Sequence, residues 1–253
     1  MRSNPNYDVV KEPRGFIKCL EVFLAIFAFA CATGYRGNLK IDQTSPDAQP
    51  KAHDAQGTIQ YPFSQILEMP FIKPGTNGTM HTYTLEVDQR SKIEFFVFIG
   101  VMCFLYSLGM LVYYIFFEEN NTMNATPVTS SWLSPPIIDF GLGAFWTLFW
   151  FFSACAFAAG VNALKDQVNI ESLTGDGGAF AEPCSNGYKC GGTNPKYATM
   201  TVAILLGFLN VFVWAGNIWF LYKETPWHNK SLASAGAPST VQQPPSQPAA
   251  AAI

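Results

Sequence analysis

The chain has 253 residues, of which 49% are hydrophobic, 15% aromatic and only 13% charged, against about 25% charged in an ordinary soluble domain. A net charge of −3, with 15 basic residues that never run together, offers no stripe for a phosphate backbone and excludes nucleic-acid binding. So small a share of charge points to lipid as the main solvent.

Residues 1–14 form a polar N-terminus. The first apolar segment, Gly15–Tyr35, follows, with Lys18 and Glu21 near its start and an uninterrupted run only over Val22–Thr33. The basic residues before it and the small residues Ala30-Cys31-Ala32 also fit a cleaved signal peptide, so length alone leaves that alternative open. Next comes a long connection, 36–92, in which Ile59, Tyr61 and Phe63 alternate at strand period, as do Tyr83, Leu85 and Val87. A small β-element is expected there, leaning on the other large loop or on the helix ends, because isolated strands are marginal in water.

Three further apolar segments, Ile93–Phe117, Ile137–Val161 and Ala198–Tyr222, have the length of about 20 residues that a bilayer core requires. Tyr113 and Tyr114 close the first of these, while Tyr197, Trp219, Tyr222 and Trp227 flank the last, as interfacial aromatic belts do. The sequence therefore predicts an all-α membrane protein, a four-helix bundle with a small luminal β-element. Its tail, 223–253, is rich in Ala, Ser, Gln and Pro without apolar periodicity and is expected to be disordered and cytosolic.

Four of the six cysteines (Cys19, Cys31, Cys103, Cys155) lie in apolar runs, where a thiol behaves as a small hydrophobe. Cys184 and Cys190 lie in the polar connection 162–197. Two cysteines cannot complete a structural zinc site, and His53, His81 and His228 stand apart from them, so a disulfide in an oxidising lumen is the reading. That places 162–197 and 36–92 in the lumen, and both termini and the 118–136 loop in the cytosol. The sequon at Asn77 agrees as a glycosylation site, whereas the sequons at Asn120 and Asn124 fall on the other side and are set aside as chance matches.

Ala30/Gly34, Ala156/Gly160 and Ala203/Gly207 are spaced for close helix packing, within one bundle or between subunits. Polar residues at membrane depth are candidate functional positions. Glu21 is placed to pair with Lys18 one turn earlier, and Asp139 to sit at headgroup level at the start of its helix. Asn210 and Asn217 share a face of the fourth span and are expected to bond to another helix or to a partner, the alternative being neighbouring backbone within the monomer. No phosphate loop, paired histidines or nucleophile with a nearby base is present, so neither catalysis nor a cofactor nor a metal is expected.

Specific blocks narrow the class. Val9-Val10-Lys11-Glu12-Pro13-Arg14-Gly15-Phe16, Phe27-Ala28-Phe29-Ala30, Tyr61-Pro62-Phe63, Glu94-Phe95-Phe96-Val97, Phe104-Leu105-Tyr106-Ser107 and Gly207-Phe208-Leu209-Asn210 stand in order along the chain. Trp214, Gly216-Asn217, Trp219-Phe220 and Lys223-Glu224-Thr225 continue the series. Together they resemble the synaptophysin family. The resemblance implies a MARVEL-type four-helix domain in synaptic or synaptic-like vesicles, cholesterol association, self-assembly, and binding of the vesicle SNARE synaptobrevin. Three features depart from that family: 36–92 has no cysteine pair, no tyrosine follows Tyr222, and 120–136 is longer and more polar. An oligomeric channel or a junctional adhesion protein are the alternative readings.

Overall fold

A computed structural model describes residues 10–46, 52–76, 78–123 and 135–224. The sequon residues Asn77 and Asn124 and the tail from Thr225 onward lie outside them. In chain order the elements are α1 (Pro13–Thr33), β1 (Arg36–Thr44), β2 (Ala52–Gln60), β3 (Ser64–Ile72), β4 (Met80–Asp88), α2 (Arg90–Met123), α3 (Pro135–Gln167), α4 (Ile170–Thr174), β5 (Lys189–Thr193) and α5 (Ala198–Glu224). Four of the helices are long and apolar enough to cross a membrane.

Local chemistry sets the helix ends. Pro13 opens α1 in the first turn, where its missing N–H is not needed, and Gly34 closes the helix with its N–H on the Ala30 carbonyl. The short α4 is capped by Asn169, whose side chain accepts from the Glu171 N–H. The second apolar segment continues as helix to Met123, so part of the expected 118–136 loop is helical.

The spans form a four-sided bundle in which α1 neighbours α2 and α5, and α3 neighbours the same two helices. Its interior is filled by Ala25, Ala28 and Ala32 of α1, Phe96 and Cys103 of α2, Trp150 and Phe157 of α3, and Ala203 and Trp214 of α5, all fully buried. Phe23, Phe98, Leu148, Phe152, Leu205 and Phe212 point outward, the inversion expected where lipid is the solvent. Phe96 stacks on Phe157 at 4.4 Å and meets Trp150 edge-on at 5.8 Å. Gly207 lets α5 approach this layer, since a Cβ there would stand 2.8 Å from the Phe96 ring. Ala203/Gly207 is thus an intramolecular packing site. Ala30/Gly34 is not, because Gly34 lies past the end of α1 and Ala30 faces outward.

The β-element is larger than the sequence indicates. The order β2-β1-β5 forms one antiparallel sheet and β3-β4 another. Ile41 stands opposite Ala55 and Gly192, and Leu67 opposite Leu85. Inward positions on the strands alternate as a one-sided sheet requires: Leu39 and Ile41, Ala55 and Ile59, Leu67, Met69 and Phe71, Leu85 and Val87. Tyr83, Leu85 and Val87 do share a strand. Ile59, Tyr61 and Phe63 do not, for β2 ends at Gln60 and the chain turns through Tyr61-Pro62 to Phe63 at φ 64° before β3 begins. The alternation there spans a turn between two sheets.

The long connection carries no cysteine, and a glutamine takes the role of a staple. Gln43, buried at 1% exposure, donates to the carbonyls of Ile72 at 2.8 Å and Pro183 at 2.7 Å and accepts from the Ile72 N–H at 2.8 Å. One side chain thereby ties β1 to the end of β3 and to the second connection. Gln43→Ala leaves those groups unpaired, an expected loss of about 1–3 kcal/mol, read as faster amide exchange at Ile72 and along β1.

Candidate functional site

The polar residues within the spans converge. On α1, Lys18 stands about 8 Å along the axis from Pro13, and its side chain is buried at 1% exposure with Glu21 at 0%. The Lys18 ammonium donates to Glu21 Oε2 at 3.1 Å and lies 4.0 Å from Asp139 Oδ1 of α3. Its remaining surroundings are aromatic, with the rings of Tyr106 on α2 and Trp214 on α5 each centred 5.2 Å away. Four helices therefore contribute to the seat of a single cation.

The carboxylates are tied down separately. Ser107 Oγ donates to Glu21 Oε2 at 2.8 Å. The Tyr106 hydroxyl donates to Asp139 Oδ1 at 2.5 Å and the Tyr114 hydroxyl to Asp139 Oδ2 at 2.6 Å. Asp139, expected at headgroup level, is instead buried at 3% exposure. The reason is that α2 supplies donors for both of its oxygens, which offsets the loss of water.

Lys18 with Glu21 is legible from one-turn spacing. The convergence of Asp139, Tyr106, Ser107 and Tyr114 on that pair is missed. A signal for part of it exists in the sequence: Ser107 and Tyr114 are seven residues apart and so share a face of α2. Which helix that face meets is a matter of packing.

The asparagines behave differently from expectation. Asn210, fully buried, donates to the Leu206 carbonyl of its own helix at 2.9 Å, and its Oδ1 has no hydrogen-bond partner. Asn217 is buried at 1% exposure with Nδ2 unpartnered. Neither bonds across helices in the described residues; for Asn210 the reason is that the i−4 carbonyl of its own helix is the nearer acceptor. Both point into the bundle, away from the outward face a partner helix would meet.

At the opposite end of the bundle, Tyr35 and Tyr197 stack at 6.1 Å where α1 leaves and α5 begins, and Tyr35 continues onto Phe63 at 5.8 Å. Burial pushes the Tyr35 hydroxyl up to about 12, and burial raises Tyr197 in the same direction. Both remain neutral phenols across physiological pH, so this junction is an aromatic joint between spans and sheets. Cys184 and Cys190 are disulfide-bonded, with Cα atoms 5.5 Å apart, which ties the connection before β5 to the strand itself. The glycosylation candidate Asn77 falls outside the described residues. Among those residues no group of three or more His, Cys, Asp or Glu is placed to hold a metal ion.

Three charged residues of the spans, Lys18, Glu21 and Asp139, are thus turned inward and meet between helices, while large apolar side chains face outward. A family model, MARVEL, the membrane-associating domain, matches residues 9–220, from the residues before the first span to within the last. The chain is a multi-pass membrane protein, and it belongs to the MARVEL family.

Proposed function

We propose that the protein is a non-enzymatic organiser of small secretory vesicles, of synaptic or synaptic-like type. In this reading it self-assembles, associates with cholesterol-containing membrane, and binds and sorts a synaptobrevin-type vesicle SNARE. Both termini face the cytosol, and the sheets with the Cys184–Cys190 connection face the lumen. The observation that carries the reading is the division of the bundle: Lys18, Glu21 and Asp139 are buried in its interior, and the apolar aromatic surface outside is suited to lipid and to a single-span partner helix. The synaptophysin-like blocks along the chain favour the vesicle SNARE as that partner. A channel through one bundle is disfavoured by the packing of Trp150, Phe157, Phe96 and Trp214 across its interior.

Fractionating cells that express the tagged full chain tests the proposal. The protein is expected to sediment with small vesicles, to co-purify with the SNARE in mild detergent, and to lose its tail to protease added outside intact vesicles while the connections 36–92 and 162–197 stay protected. Accumulation at cell contacts without SNARE capture would favour adhesion and overturn the reading.

A further inference from the structure

We propose that the polar cluster in the bundle is a proton-binding site, and that its bound proton resides on Glu21. The argument starts from charge. Among the described residues Lys18 is the one cation set against the two carboxylates Glu21 and Asp139, which leaves one negative charge in excess at a place none of the three side chains shares appreciably with water. An uncompensated ion away from water costs several kcal/mol even after relaxation, and a proton is the smallest ligand that removes that charge.

The groups facing Glu21 say where the proton goes. From its own helix comes Lys18; from α2 come Ser107 and the thiol of Cys103; from α3 comes Asp139; α5 presents the uncharged Trp214. Asp139 accepts a hydroxyl on each oxygen, from Tyr106 and Tyr114, with Lys18 at 4.0 Å, and so is satisfied as an anion. Glu21 is satisfied on one side only. Its Oε2 accepts from Lys18 and Ser107, while its Oε1 is buried without any hydrogen-bond partner. A proton added at Oε1 neutralises that oxygen and leaves both bonds at Oε2 intact. The cluster then holds Lys18 as ammonium, Asp139 as carboxylate and Glu21 as carboxylic acid, and its charges sum to zero.

Infrared absorption of the full-length protein in lipid vesicles at neutral pH tests this directly, since water-exposed carboxyl groups are then ionised. The C=O stretch of a protonated carboxyl group is expected in the wild type, shifted by 13C labelling of glutamate and not of aspartate, and absent in Glu21→Gln and in Asp139→Asn alike, since either variant removes the excess negative charge beside Lys18. Thermal unfolding supplies a second readout, because glutamine reproduces a protonated glutamate, whereas asparagine at 139 takes the anionic acceptor from Tyr106 and Tyr114 and leaves Lys18 to an ionised Glu21 whose Oε1 has no partner. Glu21→Gln is expected to move the midpoint by no more than about 4 °C and Asp139→Asn to lower it by about 8 °C or more. Absence of the band in the wild type, or its persistence in Glu21→Gln, overturns the proposal whether or not the variants fold. A Glu21→Gln loss as large as that of Asp139→Asn overturns it as well.

Discussion

Lys18→Met is expected to lower the stability of the bundle by about 3–5 kcal/mol, the range seen when one partner of a buried ion pair is removed. Methionine nearly matches the lysine stem in length and stays apolar, so the loss reports on charge more than on volume. The ammonium is the cation that Glu21 and Asp139 share, at 3.1 and 4.0 Å, and it is held over Tyr106 and Trp214 at 5.2 Å from each ring. Its removal leaves Glu21 and Asp139 with hydroxyl donors alone. Thermal unfolding in detergent checks the expectation, and an unchanged midpoint would mean that the cluster contributes nothing to holding the helices together. Surface ion pairs supply the internal control: Arg90 pairs with Glu94 at 2.9 Å while more than half exposed, and removing it is expected to change stability by about 0–1 kcal/mol.

The second large effect is expected outside the bundle. Gly192→Val acts on the strand that brings the second connection onto the first. Gly192 sits at φ 156°, and a Cβ there would stand 2.0 Å from the Lys40 carbonyl oxygen, a backbone atom that no rotamer change can move. The backbone conformation alone costs a side-chain-bearing residue about 1–3 kcal/mol, and the overlap adds to it. Relief requires β5 to leave β1, which undoes the pairing from Lys40↔Thr193 to Thr44↔Lys189. Amides of β1 are expected to exchange faster while those of β3 and β4, in the other sheet, keep their protection. Equal loss of protection in both sheets would show that the head unfolds as one unit.

Much of this architecture is legible in the sequence because lipid imposes a single strong requirement, a run of apolar residues long enough to satisfy every backbone group internally. The Cys184–Cys190 pair is legible for a similar reason, being the two cysteines outside apolar runs. The strands are less so. β1 reads Arg-Gly-Asn-Leu-Lys-Ile-Asp-Gln-Thr, whose inward positions are Gly37, Leu39, Ile41 and Gln43, so its alternation carries a glycine and a glutamine where strand patterns call for apolar residues. Gln43 is recognisable as a core residue only once the Ile72 and Pro183 carbonyls are seen around it. The charge cluster fails for the same kind of reason. Glu21 beside Lys18 is a local relation, whereas Asp139 and Ser107 reach that pair from other helices, and nothing in one chain's periodicity says which faces of a four-sided bundle meet. Asn210 shows the converse, for of its two readings, a partner across the bundle or the backbone of its own helix, the i−4 carbonyl takes its amide.

The central claim is that the buried charged residues Lys18, Glu21 and Asp139 close the bundle by compensating one another between helices. A double-mutant cycle between Lys18→Met and Asp139→Asn, measured as unfolding free energies of the full chain in one detergent, tests it most directly. These residues belong to α1 and α3, which are not neighbours in the bundle, and their charges stand 4.0 Å apart. Lys18→Met leaves Asp139 a buried anion without its cation, and Asp139→Asn leaves Lys18 with Glu21 alone, whereas the double variant removes both charges. The double variant is therefore expected to be more stable than the sum of the single losses allows, by a coupling of about 1–3 kcal/mol. Losses that simply add would contradict the account.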